Sequence, residues 1–246
     1  MNIALFGGTF DPIHRGHLVV ARAAAARFAL KKVLFIPADV PPHKLKTPIT
    51  SYYHRYAMIT LALAGEKELV PSLLEAPDFD ISGDNRRPSY SIDTIRRVKK
   101  MLGKSDHLYF LIGMDAFQDI AKWHKAEELL TECDFIVAAR PGFSLADLAA
   151  SLPGRLRPQA AVTNLFRKQK MTGPLVLRGA TLYTLPETHE TISATQIRAA
   201  VEKKGALTRL LPQSVAEYIH KEGLYLKAGS RRGGSWPVVG GPKAAE

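Results

Sequence analysis

Two histidines and three glycines crowd one short stretch near the start of the chain, GGTFDPIHRGH (residues 7–17). Gly7 and Gly8 follow an apolar run, and a backbone without Cβ atoms lets a ligand approach closely. His14 and His17 lie three residues apart at the start of an alanine-rich segment, so a helix there places both on one face near its anion-attracting end. The combination favours a site that holds phosphate groups during phosphoryl or nucleotidyl transfer.

Other interpretations of this stretch are weaker or purely structural. It contains neither GxGxxG nor GK[ST], so dinucleotide binding and a Walker-type ATPase do not follow. No HExxH or third-ligand spacing accompanies the histidines, which disfavours a metal site. A structural alternative stays open, in which Thr9 and Asp11 cap the helix, Pro12 opens a turn and both histidines are solvated.

A second candidate segment, ISATQIR (residues 192–198), lies near the end of the chain. Ser193 and Gln196 have the spacing of a capping box, so a well-capped helix is the structural alternative. Exposed N–H groups at a helix start, with the Thr195 hydroxyl and Arg198 within the next turn, also make an anion site. The two interpretations are compatible.

The elements that must position these residues alternate along the chain. Hydrophobic runs predict strands at residues 2–6, 31–37, 69–74, 107–112, 135–139 and 181–185. Helical periodicity and helix-forming residues predict helices at 16–30, 51–64, 91–102, 115–131 (one or two short helices), 194–204 and 212–221. Continuous apolar strands alternating with helices predict a doubly wound, Rossmann-like α/β fold, whose parallel sheet carries helices on both faces. Ligands of such sheets bind at the carboxyl ends of the strands.

Composition fits one domain of ordinary size. The chain has 246 residues, of which 46% are hydrophobic, and we expect a single domain over residues 1–226. Residues 143–180, punctuated by Pro and Gly, predict an elaborated connection within it, and the basic Gly/Pro-rich tail at 227–246 is expected to be disordered.

Charge and cysteine content narrow the class of protein. The formal net charge of +11 suits either nucleic acid or phosphorylated small molecules, but no zinc-finger or RNA-binding signature is present, which disfavours nucleic acid. Cys133 is the only cysteine; it excludes an intrachain disulfide and a thiolate zinc site, and we expect it near the start of a buried strand. Without a basic leader, an apolar signal region or a membrane span, the sequence predicts a cytoplasmic protein with no membrane partner.

The two segments carry a family resemblance. GGTFDPIHRGH resembles the (T/S)FDPxHxGH signature of the nucleotidyltransferase α/β-phosphodiesterase superfamily, and ISATQIR resembles its second motif, ISxTxxR. The resemblance implies a nucleotidyltransferase-type fold and three catalytic residues, His14, His17 and Arg198, which contact the phosphates of ATP and stabilise a pentacovalent transition state. It further implies an ATP site lined by Gly7, Gly8, Thr9, Phe10, Ser193, Thr195 and Arg198, with the last three holding the departing pyrophosphate.

Further segments narrow the resemblance to the bacterial nicotinate-nucleotide adenylyltransferases, over residues 1 to about 226. They are PPHK (41–44), Arg55 with Met58, PSY (88–90), IGMD (112–115), Trp123 and RPG (140–142). The resemblance implies that ATP and nicotinate mononucleotide, with Mg²⁺, give nicotinate adenine dinucleotide and pyrophosphate in NAD biosynthesis. The 5′-phosphate of the acceptor would attack the α-phosphate of ATP in line.

The same resemblance assigns the nicotinate mononucleotide site to Lys44, Ser91, Asp115, Trp123, His124 and Arg140. Lys44 would reach a phosphate, and Trp123 would stack on the pyridine ring. Asp115 would accept ribose hydroxyls or cap the next helix. Backbone N–H groups near Ser91 and His124 would receive the nicotinate carboxylate, and Arg140 would pair with a phosphate or ribose.

Several alternatives stay open at the level of sequence. The same chemistry could use nicotinamide mononucleotide or phosphopantetheine as acceptor, and a basic protein could have kept this fold to bind nucleic acid. The sequence leaves open whether the chain forms a homo-oligomer.

Overall fold

A seven-stranded sheet forms the centre of the protein in a computed structural model, which describes residues 1–44, 47–77, 88–138, 145–158, 174–185 and 192–226. The strands lie in the order β3-β2-β1-β4-β5-β7-β6, and every pair is parallel except β6 with β7. Their bounds are β1 Asn2–Gly8, β2 Leu30–Pro37, β3 Leu69–Pro71, β4 His107–Gly113, β5 Asp134–Ala138, β6 Leu175–Val176 and β7 Thr181–Leu185.

Eight α-helices of the described residues connect and cover these strands. They are α1 Arg15–Arg27, α2 Tyr52–Ala62, α3 Ser91–Lys99, α4 Met114–Phe117, α5 Ala126–Glu132, α6 Leu145–Ala150, α7 Ala194–Glu202 and α8 Gln213–Lys221. The chain winds from β1 to β2 and β3 on one side, then returns to β4 and β5 on the other. Strand order therefore reverses between β1 and β4, where an open α/β sheet leaves a crevice for ligands.

Both faces of the sheet are covered by apolar side chains. Ala4, Phe6 and Phe35 face a core built with α1, α2, α7 and α8, while Leu5 and Phe110 face a core built with α3, α5 and α6. Alternate residues of β1 thus enter opposite cores, because successive side chains of a strand point to opposite faces. The predicted doubly wound α/β sheet with helices on both faces is confirmed.

The differences from the sequence-based boundaries have local causes. Helix α1 ends at Arg27 rather than near residue 30, because Ala29 adopts a left-handed φ of 48° and Leu30 already pairs in β2. The connection at 143–180 contains elements that the sequence did not indicate, α6 and the two-residue β6. These segments are too short to show a periodicity. Strand β6 runs antiparallel and ends the sheet.

The structure tests some of the other sequence-based expectations and leaves others untested. Cys133 is buried just before β5, as expected, and burial raises the pKa of its thiol to about 12. The tail at 227–246 lies outside the described residues. The single-domain boundary at residue 226 stays a prediction. None of the helices in the described part of the chain is both long enough and apolar enough to span a bilayer.

Candidate active site

The predicted phosphate loop begins where β1 ends, at the reversal of strand order. Gly8 accepts a hydrogen bond at its carbonyl from the Ala38 N–H (2.9 Å), which ties the loop to the end of β2. A Cβ at Gly8 would lie 3.1 Å from the ring of Phe10, so the missing side chain makes room for that ring. Phe10 adopts a left-handed φ of 48° and its side chain is buried. The ring of Phe10 therefore packs inside the protein and is not exposed to a nucleotide.

His14 and His17 are brought together as their spacing predicts. His14 is the N-cap of α1, and Nδ1 of His17 accepts a hydrogen bond from its N–H (3.1 Å). The two rings stack with centroids 3.7 Å apart and planes 26° apart. Helix capping by Thr9 or Asp11 is therefore wrong, since the helix starts later and His17 itself supplies the cap. Solvation of both histidines is also wrong, because His14 is buried and the ring of His17 packs edge-on against Phe10.

Electrostatics fix the protonation of His17. Burial, and secondarily the neighbouring His14, hold the pKa of His17 well below its ordinary value. The ring is therefore neutral at pH 7. Because its Nδ1 accepts a hydrogen bond, the proton is placed on Nε2. His17 thus presents a neutral N–H donor on the side of the ring away from the cap.

The second motif starts α7 and meets the first motif in space. Oγ of Ser193 accepts from the Gln196 N–H (3.2 Å), and Oε1 of Gln196 accepts from the Ser193 N–H (3.0 Å), which confirms the capping box. Arg198 donates from Nη1 to the carbonyl of Asp11 (2.8 Å) and from Nη2 to Oγ1 of Thr195 (3.3 Å). Thr195 is exposed and Ser193 half-buried. We call residues 7–17 and 193–198 together the phosphate side.

A buried arginine donates a hydrogen bond to the backbone of the phosphate side. Arg55, on α2, is 1% exposed and donates to the carbonyls of Thr9 and Thr50, both at 2.8 Å. Burial lowers its pKa, and the neighbouring Asp11 opposes that shift. Sequence reasoning gave Arg55 no role of its own. The signal that could have found it is a charged residue among the apolar positions of a helix, since an unpaired charge there would be costly.

Lys44, predicted as a ligand of the acceptor phosphate, lies near the phosphate side. It ends the short 3₁₀ turn Pro42–Lys44 and is half-buried. Burial lowers its pKa, as do the nearby charges of Arg198 and Arg55, whereas Asp11 opposes the shift. Three cationic side chains therefore surround the loop at Asp11, which suits a polyanionic ligand. Lys46, two residues further along the sequence, lies outside the described residues.

The remaining predicted residues gather at the end of β4 and the start of α3. Trp123 is half-buried and meets the ring of Phe110 edge-on, with centroids 6.3 Å apart. His124 stacks on Tyr90, with ring centroids 4.1 Å apart, and Ser91 opens α3 directly after Tyr90. The backbone near Ser91 and the backbone near His124 are thus neighbours through one aromatic stack. We call residues 88–91 and 113–124 the acceptor side.

Asp115 and Arg140 complete the predicted set. Asp115 is exposed in the first turn of α4, directly after β4. The N-cap of α4 is Gly113, so the capping alternative for Asp115 is wrong. Arg140 lies outside the described residues. Sequence reasoning missed the stacking role of Tyr90, because its ring partner, His124, lies 34 residues further along the chain.

A protein-built metal site is absent from the part of the chain that the structure describes. No group of three or more His, Cys, Asp or Glu side chains there is arranged to hold a metal ion. The donor set of the site is cationic and imidazole-rich instead, which fits an ion that arrives bound to phosphate oxygens of a nucleotide.

Comparison with known proteins agrees with this geometry. A model of the cytidylyltransferase-like family matches residues 5–200. The chain therefore belongs to the cytidylyltransferase-like family of nucleotidyltransferases.

Curated relatives narrow the group. A probable nicotinate-nucleotide adenylyltransferase of Moorella thermoacetica is 38% identical over 226 residues, covering 91% of this chain and 91% of the relative. The protein of the same name from Desulfotalea psychrophila is 39% identical over 225 residues, covering 91% and 99%. Within its family, the chain thus belongs with the nicotinate-nucleotide adenylyltransferases.

Solved structures show the same fold. A nicotinic acid mononucleotide adenylyltransferase of Plasmodium falciparum, complexed with NaAD, aligns with a TM-score of 0.63 at 20% identity, covering 91% of this chain and 97% of that one. At this level of identity the likeness concerns the fold. It supports the doubly wound nucleotidyltransferase architecture.

Proposed function

We propose that the protein transfers the adenylyl group of ATP to nicotinate mononucleotide, giving nicotinate adenine dinucleotide and pyrophosphate. The observation that carries the proposal is the meeting of the two motifs through the 2.8 Å bond from Arg198 to the Asp11 carbonyl. This bond sets an arginine and a capped helix start beside a stacked histidine pair. The named activity of the curated relatives supports the same reaction.

The phosphate side would bind the triphosphate of ATP. Backbone groups of Gly7, Gly8, Thr9 and Phe10, at the end of β1 and just after it, would line the nucleotide site. Ser193, Thr195 and Arg198 would hold the β- and γ-phosphates, which leave as pyrophosphate, because a capped helix start and a guanidinium both favour anions. Lys44, through its position beside Arg198, would bind the 5′-phosphate of the acceptor next to the α-phosphate.

His14 and His17 would stabilise the charge that develops when the acceptor phosphate attacks. Nε2–H of His17 is a neutral donor, held in position by its Nδ1 bond and by the packing of its ring against Phe10. A donor already oriented before the reaction needs no reorganisation in the transition state, which is the main source of such stabilisation. The chemistry requires no covalent enzyme intermediate, since positioning and charge stabilisation suffice for phosphoryl-type transfer.

The acceptor side would recognise nicotinate. Trp123 offers a half-buried ring for stacking on the pyridine, and exposed Asp115 offers a carboxylate to ribose hydroxyls. The N–H groups of the first turn of α3, around Ser91, point out of the helix start and would bind the nicotinate carboxylate together with the backbone near His124. An amide in place of that carboxylate would lose the charge-assisted part of this interaction. Arg140 remains a proposed phosphate or ribose ligand on sequence grounds.

Mg²⁺ would accompany ATP as part of the substrate. Bound to phosphate oxygens, the ion neutralises charge on the triphosphate. We also propose a cytoplasmic location, because a chain with one cysteine fits a reducing compartment.

Pyrophosphate release from Mg²⁺–ATP tests the proposal. Nicotinate mononucleotide, nicotinamide mononucleotide and phosphopantetheine would be offered separately at matched concentrations, with His17→Ala as the inactive control. Strong preference for the nicotinate acceptor is expected. Preference for another acceptor would keep the chemistry and replace the substrate. No release with any acceptor, together with DNA or RNA binding that weakens steeply with salt, would favour a nucleic-acid-binding role instead.

A further inference from the structure

The side chain of Asp11 is a junction between distant parts of the chain. It is 5% exposed; its Oδ1 accepts from the Tyr225 hydroxyl (2.7 Å) and its Oδ2 from the Thr50 N–H (3.3 Å). The carbonyl of the same residue accepts from Arg198 (2.8 Å). One residue of the phosphate loop is therefore fixed by the segment before α2, by α7 and by the C-terminal end of the described chain.

The chain after α8 adopts an unusual conformation to deliver this hydroxyl. Gly223 has a φ of 59° and Tyr225 a φ of 63°. The left-handed region suits glycine but is uncommon and strained for other residues. A tyrosine is held there only where its surroundings fix it, and such residues cluster at functional sites. Burial, and then the charge of Asp11, raise the pKa of the Tyr225 hydroxyl. It therefore stays protonated and acts as a donor at neutral pH.

The surroundings of Asp11 show why a neutral donor matters. Lys44 and Arg55 both interact electrostatically with this carboxylate, and Arg198 is bonded to its carbonyl. A buried carboxylate that lacks hydrogen bonds carries a desolvation cost of several kcal/mol and turns to the nearest cation. Tyr225 and Thr50 satisfy the carboxylate with neutral donors. Arg198 can consequently keep its bond to the Asp11 carbonyl and face a triphosphate instead of pairing with the carboxylate.

We propose that Tyr225 is a positioning residue for the phosphate side: its hydroxyl holds the Asp11 carboxylate, which keeps the loop aligned with α7 and keeps Arg198 available for the phosphates of ATP. This inference rests on the proposed function for its substrate, but its geometry concerns the loop and the C-terminal segment alone. Tyr225 would touch neither nucleotide.

A matched pair of tyrosine variants tests the proposal. Tyr225→Phe removes the hydroxyl that Asp11 accepts from, whereas Tyr218→Phe removes an equivalent one: Tyr218, on α8, is also half-buried and bonds Nδ1 of His54 on α2 at 2.8 Å. Each variant loses one part-buried hydrogen bond that a tyrosine of the C-terminal part makes to a distant segment, so similar losses of melting temperature are expected. Only Tyr225→Phe disturbs the loop.

The kinetic expectation separates positioning from stability. Well below both melting temperatures, we expect Tyr225→Phe to lower kcat roughly tenfold and to raise the KM for ATP several-fold, because small misplacements of the reacting groups are costly. The KM for nicotinate mononucleotide should stay within about twofold, since the acceptor side is built elsewhere. Tyr218→Phe should leave all three constants nearly unchanged. Equal kinetics in the two variants would overturn the proposal.

Asp11→Asn examines the same contact from the other side. It keeps the shape of the side chain and removes the charge that would capture the cations. In that background, Tyr225→Phe should cause a much smaller loss of kcat than in the wild type, because the hydroxyl acts through the carboxylate. Fully additive losses would contradict the proposal, even where Tyr225→Phe alone proved unstable.

A binding measurement separates this inference from the proposed function. If the wild type releases no pyrophosphate with nicotinate mononucleotide, the proposed acceptor is wrong, and calorimetric titration with α,β-methylene-ATP then decides the role of Tyr225. Weaker affinity in Tyr225→Phe, by several-fold relative to Tyr218→Phe, is the expected result. Equal affinities would overturn it.

Discussion

The phosphate side and the acceptor side are built in different ways. On the phosphate side, loop and helix are joined by short hydrogen bonds between residues far apart in the chain, such as Arg198 to Asp11 and Arg55 to Thr9. The acceptor side consists of aromatic contacts on short turns, such as Tyr90 on His124. Bonded backbone fixes atoms to within small tolerances, as the stabilisation of developing charge requires. Stacking of rings tolerates sliding, which suits recognition of a flat substrate.

Loss of His17 should have the largest effect, and it should fall on the chemical step. We expect His17→Ala to lower kcat by roughly a hundredfold or more while the protein stays folded, by analogy with the loss of one transition-state donor. His107→Ala is the control: His107 is paired with Asp134 at the amino ends of β4 and β5, on the far edge of the sheet. A folded His17→Ala with wild-type kcat would remove the catalytic role of the histidine pair.

Arg198→Lys should follow, with a loss that charge alone does not repair. Lysine keeps the positive charge but lacks the planar guanidinium fork, whose two Nη groups reach the Asp11 carbonyl and the Thr195 hydroxyl separately. Loss of a charged hydrogen bond of about 1.5–3 kcal/mol corresponds to a roughly 10- to 100-fold lower kcat/KM for ATP. Steady-state kinetics with varied ATP measures the effect. Full activity of Arg198→Lys would show that a positive charge at position 198 is sufficient for activity and that the two hydrogen bonds are not required.

Trp123→Ala should affect the acceptor side and leave the phosphate side nearly unchanged. We expect the KM for nicotinate mononucleotide to rise roughly three- to tenfold, from loss of one aromatic stacking contact, and the KM for ATP to change little. Trp123→Phe, which keeps a ring, should recover most of the loss. If both substrates weaken equally, Trp123 supports the fold through Phe110 rather than binding the pyridine.

The smallest expected effect is on the pH dependence of stability. The folded state holds the pKa of His17 below its ordinary value near 6.5, so above that pH both the folded and unfolded chains carry a neutral ring. As the pH falls below about 6.5, the unfolded chain takes up a proton that the folded chain refuses, and the free energy of unfolding decreases. The melting temperature of the wild type should therefore fall more steeply from pH 7 to pH 5 than that of His17→Gln.

Burial also lowers the pKa of His43. Its contribution to the pH dependence of stability is the same in the wild type and in His17→Gln. The difference between wild type and His17→Gln isolates the share of His17. Parallel melting profiles would mean that His17 is protonated as readily in the folded protein as in the unfolded chain. The neutral-donor mechanism would then be lost.

The local sequence was enough to predict the strands and helices and each of the two phosphate-side motifs separately. Apolar runs and helical spacing predicted every strand of the sheet except β6, and the HxxH spacing predicted that His14 and His17 share a face. The capping box at Ser193 could be predicted for the same reason, because these features depend on residues within one or two helical turns of one another. Short segments such as α6 and β6 carry too few residues for a period to emerge.

Which distant residues come together at the site could be seen only in the tertiary structure. Only the folded chain brings Arg198 to Asp11, Lys44 close to Arg198, and Tyr90 onto His124. It also carries the Tyr225 hydroxyl to Asp11, across nearly the whole chain. The reason is physical: buried charges and polar groups must find partners wherever packing puts them, and the sequence distance of those partners is set by topology rather than by local pattern.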